Sequence, residues 1–313
     1  MIRYLRQSEL NRDKWNDCIS QANNSMVYAY SWYLDNVCEN WDALVEDDYS
    51  AVMPLPYRKK AVFLYIFPPS LIQQLGVFSP SEVTEEKLAD FIKAIPKKFR
   101  YTEINLNYSN PAQKVFKYKE LHVNLELYLN RPYQEIKSSY SENLRRNLKK
   151  IPENLLSIRY TDDIMLLTDL FKSNQAKKIG HLPKDYYQVL NKIFKAGTAR
   201  ALCKLYTVYL GDQLCAGALF FICGGRAIFL FSATNDKAKE VNAMHFLIDS
   251  FIKEHAQSHL ILDFEGSDNE SLARFYRSFG AAEKNYYKIF DSIFPYFIIK
   301  FLKFVFKIKK VLS

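Results

Sequence analysis

The sequence predicts an α/β (α+β) protein built as two tandem lobes, each a mixed, mostly antiparallel sheet flanked by helices. Three observations carry this. Period-two apolar runs alternate with helical apolar stripes along nearly the whole chain. Residues 136–291 read as strand, two helices, three antiparallel strands, helix, strand, helix, strand, and residues 1–135 give a shorter version of that order. Asn110 to Phe116 and Asn269 to Phe275 share the spacing N-x-x-x-x-x-F, each just after a strand-like run, a local echo of duplication.

The first lobe opens with a strand at Ile2 to Leu5 and a helix from Ser8, with Trp15, Cys18, Ile19 and Ala22 on one face. Strand-like runs follow at Ala43 to Glu46, Ser50 to Arg58 and Ala61 to Phe67. Pro54 and Pro56 give the second an edge position or a bulge, because proline cannot donate to a ladder. Gln73, Gln74 and Gly76 then mark the passage to a helix from Glu82 to Ile95, with Leu88, Phe91, Ile92 and Ile95 inward. A strand at Glu103 to Asn107, a short helix opened by Asn110 and one strand from His122 to Leu129 complete the lobe.

In the second lobe, Tyr140, Leu144, Leu148 and Ile151 mark a helix broken by Pro152, and Leu156 to Tyr160 is a strand. Two helices follow, through Leu167 and Phe171 and through Tyr186, Leu190 and Phe194. Three strands, Ala201 to Leu210, Leu214 to Cys223 and Ala227 to Ala233, are joined by Gly211-Asp212 and Gly224-Gly225 turns. A helix from Lys239 to Gln257 precedes an apolar run at Leu260 to Leu262. Asn269 caps a helix carrying Leu272, Phe275, Tyr276 and Phe279, which Gly280 ends. Tyr286 to Phe290 is expected to close this second sheet.

Composition narrows the class. Aromatics are abundant, with 22 Tyr and 23 Phe, so a large core is available. Cys18, Cys38, Cys203, Cys215 and Cys223 show no metal-ligand spacing, so no metal is expected and a reducing cytosol fits better than a disulfide framework. No secretory leader is evident after Arg3 and Arg6. The formal charge is +9, but five of the 43 basic residues (Lys300, Lys303, Lys307, Lys309, Lys310) lie after the last acid, Asp291. The remaining 38 face 34 acids, which argues against a dedicated nucleic-acid binder.

The chemistry-bearing stretch is His259 to Ala281, H-L-I-L-D-F-E-G-S-D-N-E-S-L-A-R-F-Y-R-S-F-G-A. It places Asp263 and Glu265 at the carboxyl end of a strand, the edge where α/β sheets bind ligands, with Tyr276 on the helix that follows. A carboxylate there could take a proton from an amine, and a tyrosine could return one to a leaving group. Equally, an acid there could cap the helix or pair with Arg274 or Arg277, and the tyrosine could be core. The segment A-R-F-Y-R-S-F-G resembles the last motif of GNAT-type acyltransferases, and L-D-F-E-G-S is similar to the FemABX branch, whose members carry two GNAT-like domains. The resemblance covers residues 1 to about 290. It implies two GNAT-like domains, 1–135 and 136–291, and transfer of an acyl or aminoacyl group to an amine, with Glu265 or Asp263 as base and Tyr276 as acid.

The same resemblance sets expectations for binding. FemABX proteins often show F-K-x-x-F-G, and here Tyr276 replaces that lysine, leaving Arg277 as the neighbouring cation. The acyl donor is acyl-CoA or aminoacyl-tRNA. T-N-D-K-A-K-E-V-N-A-M stands where coenzyme-A users carry a glycine-rich loop. It has no glycine, but Lys237 and Lys239 could pair with phosphate, and Asn242 could take a left-handed conformation. Ser232, on the preceding strand, is a further donor contact. S-Y-S-E-N-L-R-R-N-L-K-K resembles the basic helix after the FemABX lobe boundary; Arg145 and Arg146 suit a phosphate, such as a diphosphate-linked cell-wall precursor, though a solvated face has the same pattern. Gln73, Gln74 and Gly76 match a Q-x-G element that lines the substrate cleft in related chains, and turn packing accounts for them as well.

Residues 292–313 form a third region, a basic amphipathic helix with Lys300, Lys303, Lys307 and Lys310 on one face. Its lysines rule out a membrane span and suit either an anionic lipid surface at the inner face of the membrane or packing on the fold. Alternatives to the FemABX-like reading are an acyl-CoA-dependent N-acyltransferase on another amine and a non-catalytic ligand binder that keeps the fold.

Overall fold

The computed structural model describes residues 1–60, 62–112, 116, 118–175, 182–265 and 268–292. The chain forms two compact units, residues 1–122 with 286 onward, and residues 123–285. In the first unit β1 (Ile2–Leu5), α1 (Arg12–Gln21) and α2 (Ser31–Val37) lead to β2 (Trp41–Glu46), β3 (Ala51–Lys60) and β4 (Phe63–Ile66). Then come α3 (Glu85–Lys93), β5 (Phe99–Asn105) and β6 (Lys119–His122). In the second, β7 (Leu125–Tyr128), α4 (Tyr133–Ser138) and α5 (Glu142–Lys149) precede β8 (Leu156–Tyr160), α6 (Ile164–Asn174) and α7 (Tyr186–Thr198). The meander β9 (Cys203–Leu210), β10 (Gln213–Cys223) and β11 (Arg226–Thr234) follows, then α8 (Asp236–Glu240), α9 (Ala243–His255), β12 (Ile261–Asp263), α10 (Glu270–Arg277) and β13 (Ala282–Glu283). Last comes β14 (Tyr286–Ser292).

Each unit holds a seven-stranded mixed sheet, in the orders β1-β2-β3-β4-β5-β14-β6 and β8-β9-β10-β11-β12-β7-β13. The two orders match position for position. In each, an antiparallel meander ends on a parallel pair, β4 with β5 and β11 with β12.

The match exposes a correction to the expected division at residues 135 and 291. The single strand expected from His122 to Leu129 is two, broken at Val123 and Asn124. β6 stays in the first sheet against β14, while β7 enters the second between β12 and β13. Reciprocally, β14 joins the first sheet between β5 and β6 instead of closing the second. Each unit thus completes its sheet with a strand whose sequence lies beside the other unit. The helix expected from Tyr140 is α5, and the short α4 before it was not expected. Residues 113–115, within the short helix expected after Asn110, and 293–313, within the expected C-terminal helix, lie outside the described residues.

In the second unit, α9 lays Leu247, Ile248, Phe251 and Ile252 on one face of the sheet, with Phe251 stacked on Phe220 at 4.0 Å between ring centroids. α6 covers β10 and β11 with Leu167 and Phe171 buried. Gly217 admits that helix closely, since a Cβ there would lie 2.8 Å from Leu167 Cδ1. The helices start where short polar side chains bond the free N–H groups of their first turn: Asn11 for α1, Thr84 for α3, Ser141 for α5 and Asn269 for α10. Among the described residues no helix is long and apolar enough to cross a membrane.

Candidate active site

The second unit has an opening between two parallel strands. β12 pairs with β11 only through Arg226–Ile261, Ala227–Leu262 and Ile228–Asp263. β11 continues to Thr234, held on its other side by β10. Its register against β10 shifts between Leu219 and Phe220, opposite Phe229 to Phe231, directly after the last β12 pair. A bulge bends and twists its strand, so this one accounts for the divergence of β11 from β12. Among the described residues no strand pairs with Leu230 to Thr234 on the side that β12 leaves. Ser232 lies on that stretch.

Glu265 stands at the mouth of this divergence, but not as a strand residue. β12 stops at Asp263, and Glu265 has φ 55°, a left-handed conformation that a non-glycine residue adopts at a cost. Of the two acids expected at the carboxyl end of the strand, only Asp263 belongs to it. Around Glu265 stand two tyrosines. Tyr276, only 8 % exposed, stacks its ring on Phe264 at 4.7 Å and meets Phe229 edge-on at 6.1 Å. Burial first, then the charge of Glu265, raise its hydroxyl pKa far above the ordinary tyrosine value. Tyr186, in the first turn of α7 against Phe231, is raised by the same two causes in the same order, with Tyr187 adding to them. Both phenols thus stay protonated beside one carboxylate. Tyr186 was not among the expected site residues; its apolar helical spacing gave it a core reading.

Asp263 has a different place from the expected base. It is 2 % exposed, its Oδ2 accepts from Arg226 Nη1 at 2.8 Å, and its Oδ1 accepts from the Glu265 N–H at 2.9 Å. Arg226 also donates from Nη1 and Nη2 to Glu126 Oε1 at 2.9 Å. The three residues lie on the adjacent strands β7, β12 and β11, buried, with Asp263 directly opposite Glu126 in register. A carboxylate engaged by a guanidinium inside a sheet is not available to an incoming amine, which leaves Glu265 as the base candidate.

Beyond the strands, α8 and α9 meet at Asn242, whose φ of 55° is the left-handed conformation expected of it. The expected single helix from Lys239 is split there. Lys237 donates to Gln213 Oε1 at 3.0 Å and Lys239 pairs with Asp236 at 2.9 Å, both at the surface. Arg277 bridges Glu270 and Glu283 at 3.3 and 2.7 Å on the exposed side of α10. Arg145 lines a separate pocket of about 460 Å³ with Lys137, Lys149, Leu148 and Phe246, and with the carboxylates Glu153 and Asp249; Arg146 is exposed and not part of that lining.

Gln73, Gln74 and Gly76 lie in the first unit, beside the end of β5. Gln74 is fully buried, and its Oε1 accepts from the Tyr108 N–H at 2.9 Å. Gly76 has φ 96°, and a Cβ there would collide with Asn110 Oδ1. Gln74 and Gly76 are therefore parts of the packing, a correction to their expected contact with substrate. Gln73 lines a cavity of only about 10 Å³, room for roughly one water.

Residues 138–277 match the family model for an acetyltransferase (GNAT) domain. The solved structure of FemX aligns with a TM-score of 0.64 at 12% identity, covering 91% of this chain and 96% of FemX. L-PGS from Bacillus licheniformis gives 0.55 at 10%, covering 93% and 95%. A tandem GNAT protein from the clavulanic acid biosynthesis pathway gives 0.53 at 10%, covering 94% and 99%. No curated protein sequence matches the chain. The fold is thus that of tandem GNAT proteins, with two mixed sheets flanked by helices.

Proposed function

We propose that this tandem GNAT-fold chain, with a GNAT-type domain over residues 138–277, transfers an acyl or aminoacyl group to an amine at the strand gap of its second unit. The observation that carries the reading is Glu265, set off the end of β12 beside the buried Tyr276 and the half-buried Tyr186. Glu265 takes a proton from the acceptor's ammonium group, and the freed nitrogen attacks the donor's carbonyl carbon. As the tetrahedral intermediate collapses, the bond to the leaving sulfur or oxygen breaks and Tyr276 gives that atom its proton. The raised pKa of Tyr276 keeps the proton in place at neutral pH. Passage of the proton from Glu265 to Tyr276 restores both groups, and the second proton of the attacking nitrogen is lost to solvent as the amide forms. Tyr186 is the second hydroxyl at the same carboxylate and steadies it.

The acceptor carries an anionic group that Arg145, Lys137 and Lys149 hold, with Leu148 and Phe246 as apolar contacts. A diphosphate-linked cell-wall precursor has that chemistry, and the likeness to FemX supports it. The donor is an acyl-CoA or an aminoacyl-tRNA, bound near Ser232, Asn242, Lys237 and Lys239. The lysine-rich residues 293–313 would rest on anionic lipid at the inner, cytoplasmic face of the membrane. The test is a thermal-shift screen against coenzyme A thioesters, charged tRNA and UDP-linked muropeptides, followed by transfer assays with each hit. A donor–acceptor pair that yields an N-acylated product supports the reading. Tight binding with no transfer from any donor would replace it with a ligand binder.

A further inference from the structure

We infer that Asp263, at the end of the buried row Glu126–Arg226–Asp263, is a positioning residue whose Oδ1 holds Glu265 in its left-handed turn at the strand gap. The inference rests on the proposed role of Glu265 as base and assigns to Asp263 a part in that role. The contact that transmits position is the hydrogen bond from the Glu265 N–H to Asp263 Oδ1, an acceptor two residues upstream of its donor. That bond favours a turn directly after the last strand residue. The other oxygen of Asp263 is fixed by Arg226, which is itself fixed by Glu126 on β7. The aspartate therefore has no rotational freedom, and the turn it caps inherits the rigidity of three adjacent strands.

Two further features support a geometric role. The row holds two carboxylates and one guanidinium at 1–3 % exposure, an arrangement seldom favourable for stability alone because desolvation offsets the Coulombic gain. It also leaves Glu126 Oε2 buried without a hydrogen-bond partner. Residues 123–285, which contain the whole row, have an extensive apolar core of their own, so a buried ionic row is not needed there to exclude water.

The test compares Asp263→Ala and Asp263→Ser, each combined with Arg226→Met in the full chain so that no guanidinium is left buried without its partner. Serine keeps an acceptor for the Glu265 N–H, and alanine does not. In crystal structures of the two, Glu265 should keep its positive φ with serine and leave it with alanine. With the donor found by screening, the serine variant should hold kcat within about threefold of Arg226→Met alone. The alanine variant should fall at least tenfold, with KM for the donor unchanged. Melting temperatures of the two variants should agree, since both lose the same ion pairs. Glu265 remaining in place in the alanine variant, or equal kcat for the two variants, would overturn the positioning role. Wild-type rates for Glu265→Gln would instead remove the base role, whatever the crystal structures show.

Discussion

The two units share one strand order, yet the equivalent place in each has met a different fate. In the second unit, β11 outruns β12 beyond Ile228 and Asp263, and the divergence leads to Glu265 and Tyr276. In the first, β5 outruns β4 beyond Thr102, and the chain fills the place itself. Leu75 pairs in parallel with Leu106, donating to the Asn105 carbonyl and accepting from the Asn107 N–H, each at 2.7 Å. Asn24, Asn107 and Asn110 then bond Val77 and Leu75 from the sides. Buried amides that satisfy backbone groups so fully leave none for a ligand. One scaffold therefore serves as packing in one copy and presents the proposed base, Glu265, in the other.

The largest effect that separates the units comes from the exchanged strand. A chain ended at Asn285 loses β14, which pairs with both β5 and β6 of the first sheet and with no strand of the second. Hydrogen exchange should show protection lost throughout residues 1–122 and kept in β9 to β12. Loss of protection in the second unit instead would contradict the reciprocal exchange. A smaller effect follows from the packed gap. Gly76→Ala forces a side chain into a φ of 96° and against Asn110, so it should destabilise the first unit by about 2–3 kcal/mol in urea melts. Transfer at the second unit should continue at the wild-type rate under conditions where both units are folded.

The smallest effect is on pH. Burial, then repulsion from Asp263, raise the pKa of Glu126, with the attraction of Arg226 between them in size and opposing. The folded state therefore binds this proton more tightly than the unfolded chain does. Its stabilising contribution is fully present below the ordinary carboxylate range and is lost as pH rises through the higher folded value. Glu126→Gln should remove that part of the slope of melting temperature against pH. An unchanged slope would mean that folding does not shift the Glu126 carboxyl.

Much of this fold was legible in the sequence, because periodicity and caps are local. Asn269 and Gly280 mark the limits of α10, and the left-handed Asn242 could be anticipated from residue type alone. Pro54 and Pro56 suggested an edge strand or a bulge; β3 is instead an interior strand in regular register with β2, and it tolerates both prolines on the part that β4 does not reach. The exchange of β7 and β14 was not legible, since an alternating strand carries no label for its neighbour. The role of Asp263 was hidden for a similar reason. Its partner Arg226 lies 37 residues away, and Glu126 lies a further 100 from that arginine. Tyr186 was passed over because a tyrosine at helical spacing among apolar residues is indistinguishable from core until its hydroxyl is located.

Under the proposed function, chemistry belongs to the gap of the second unit and not to its filled counterpart. Steady-state kinetics of Glu265→Gln and Tyr276→Phe, set beside Glu103→Gln on β5, test it most directly. Glu103 accepts from Tyr101 at 2.7 Å and lies 3.5 Å from the Lys288 ammonium, with its side chain 15% exposed, so its substitution probes the first gap. The first two should lower kcat by roughly 10²–10⁴-fold, the usual worth of a positioned proton acceptor or donor, with melting temperatures close to wild type. Glu103→Gln should leave kcat unchanged. Wild-type turnover in Glu265→Gln, or a comparable loss in Glu103→Gln, would contradict that assignment.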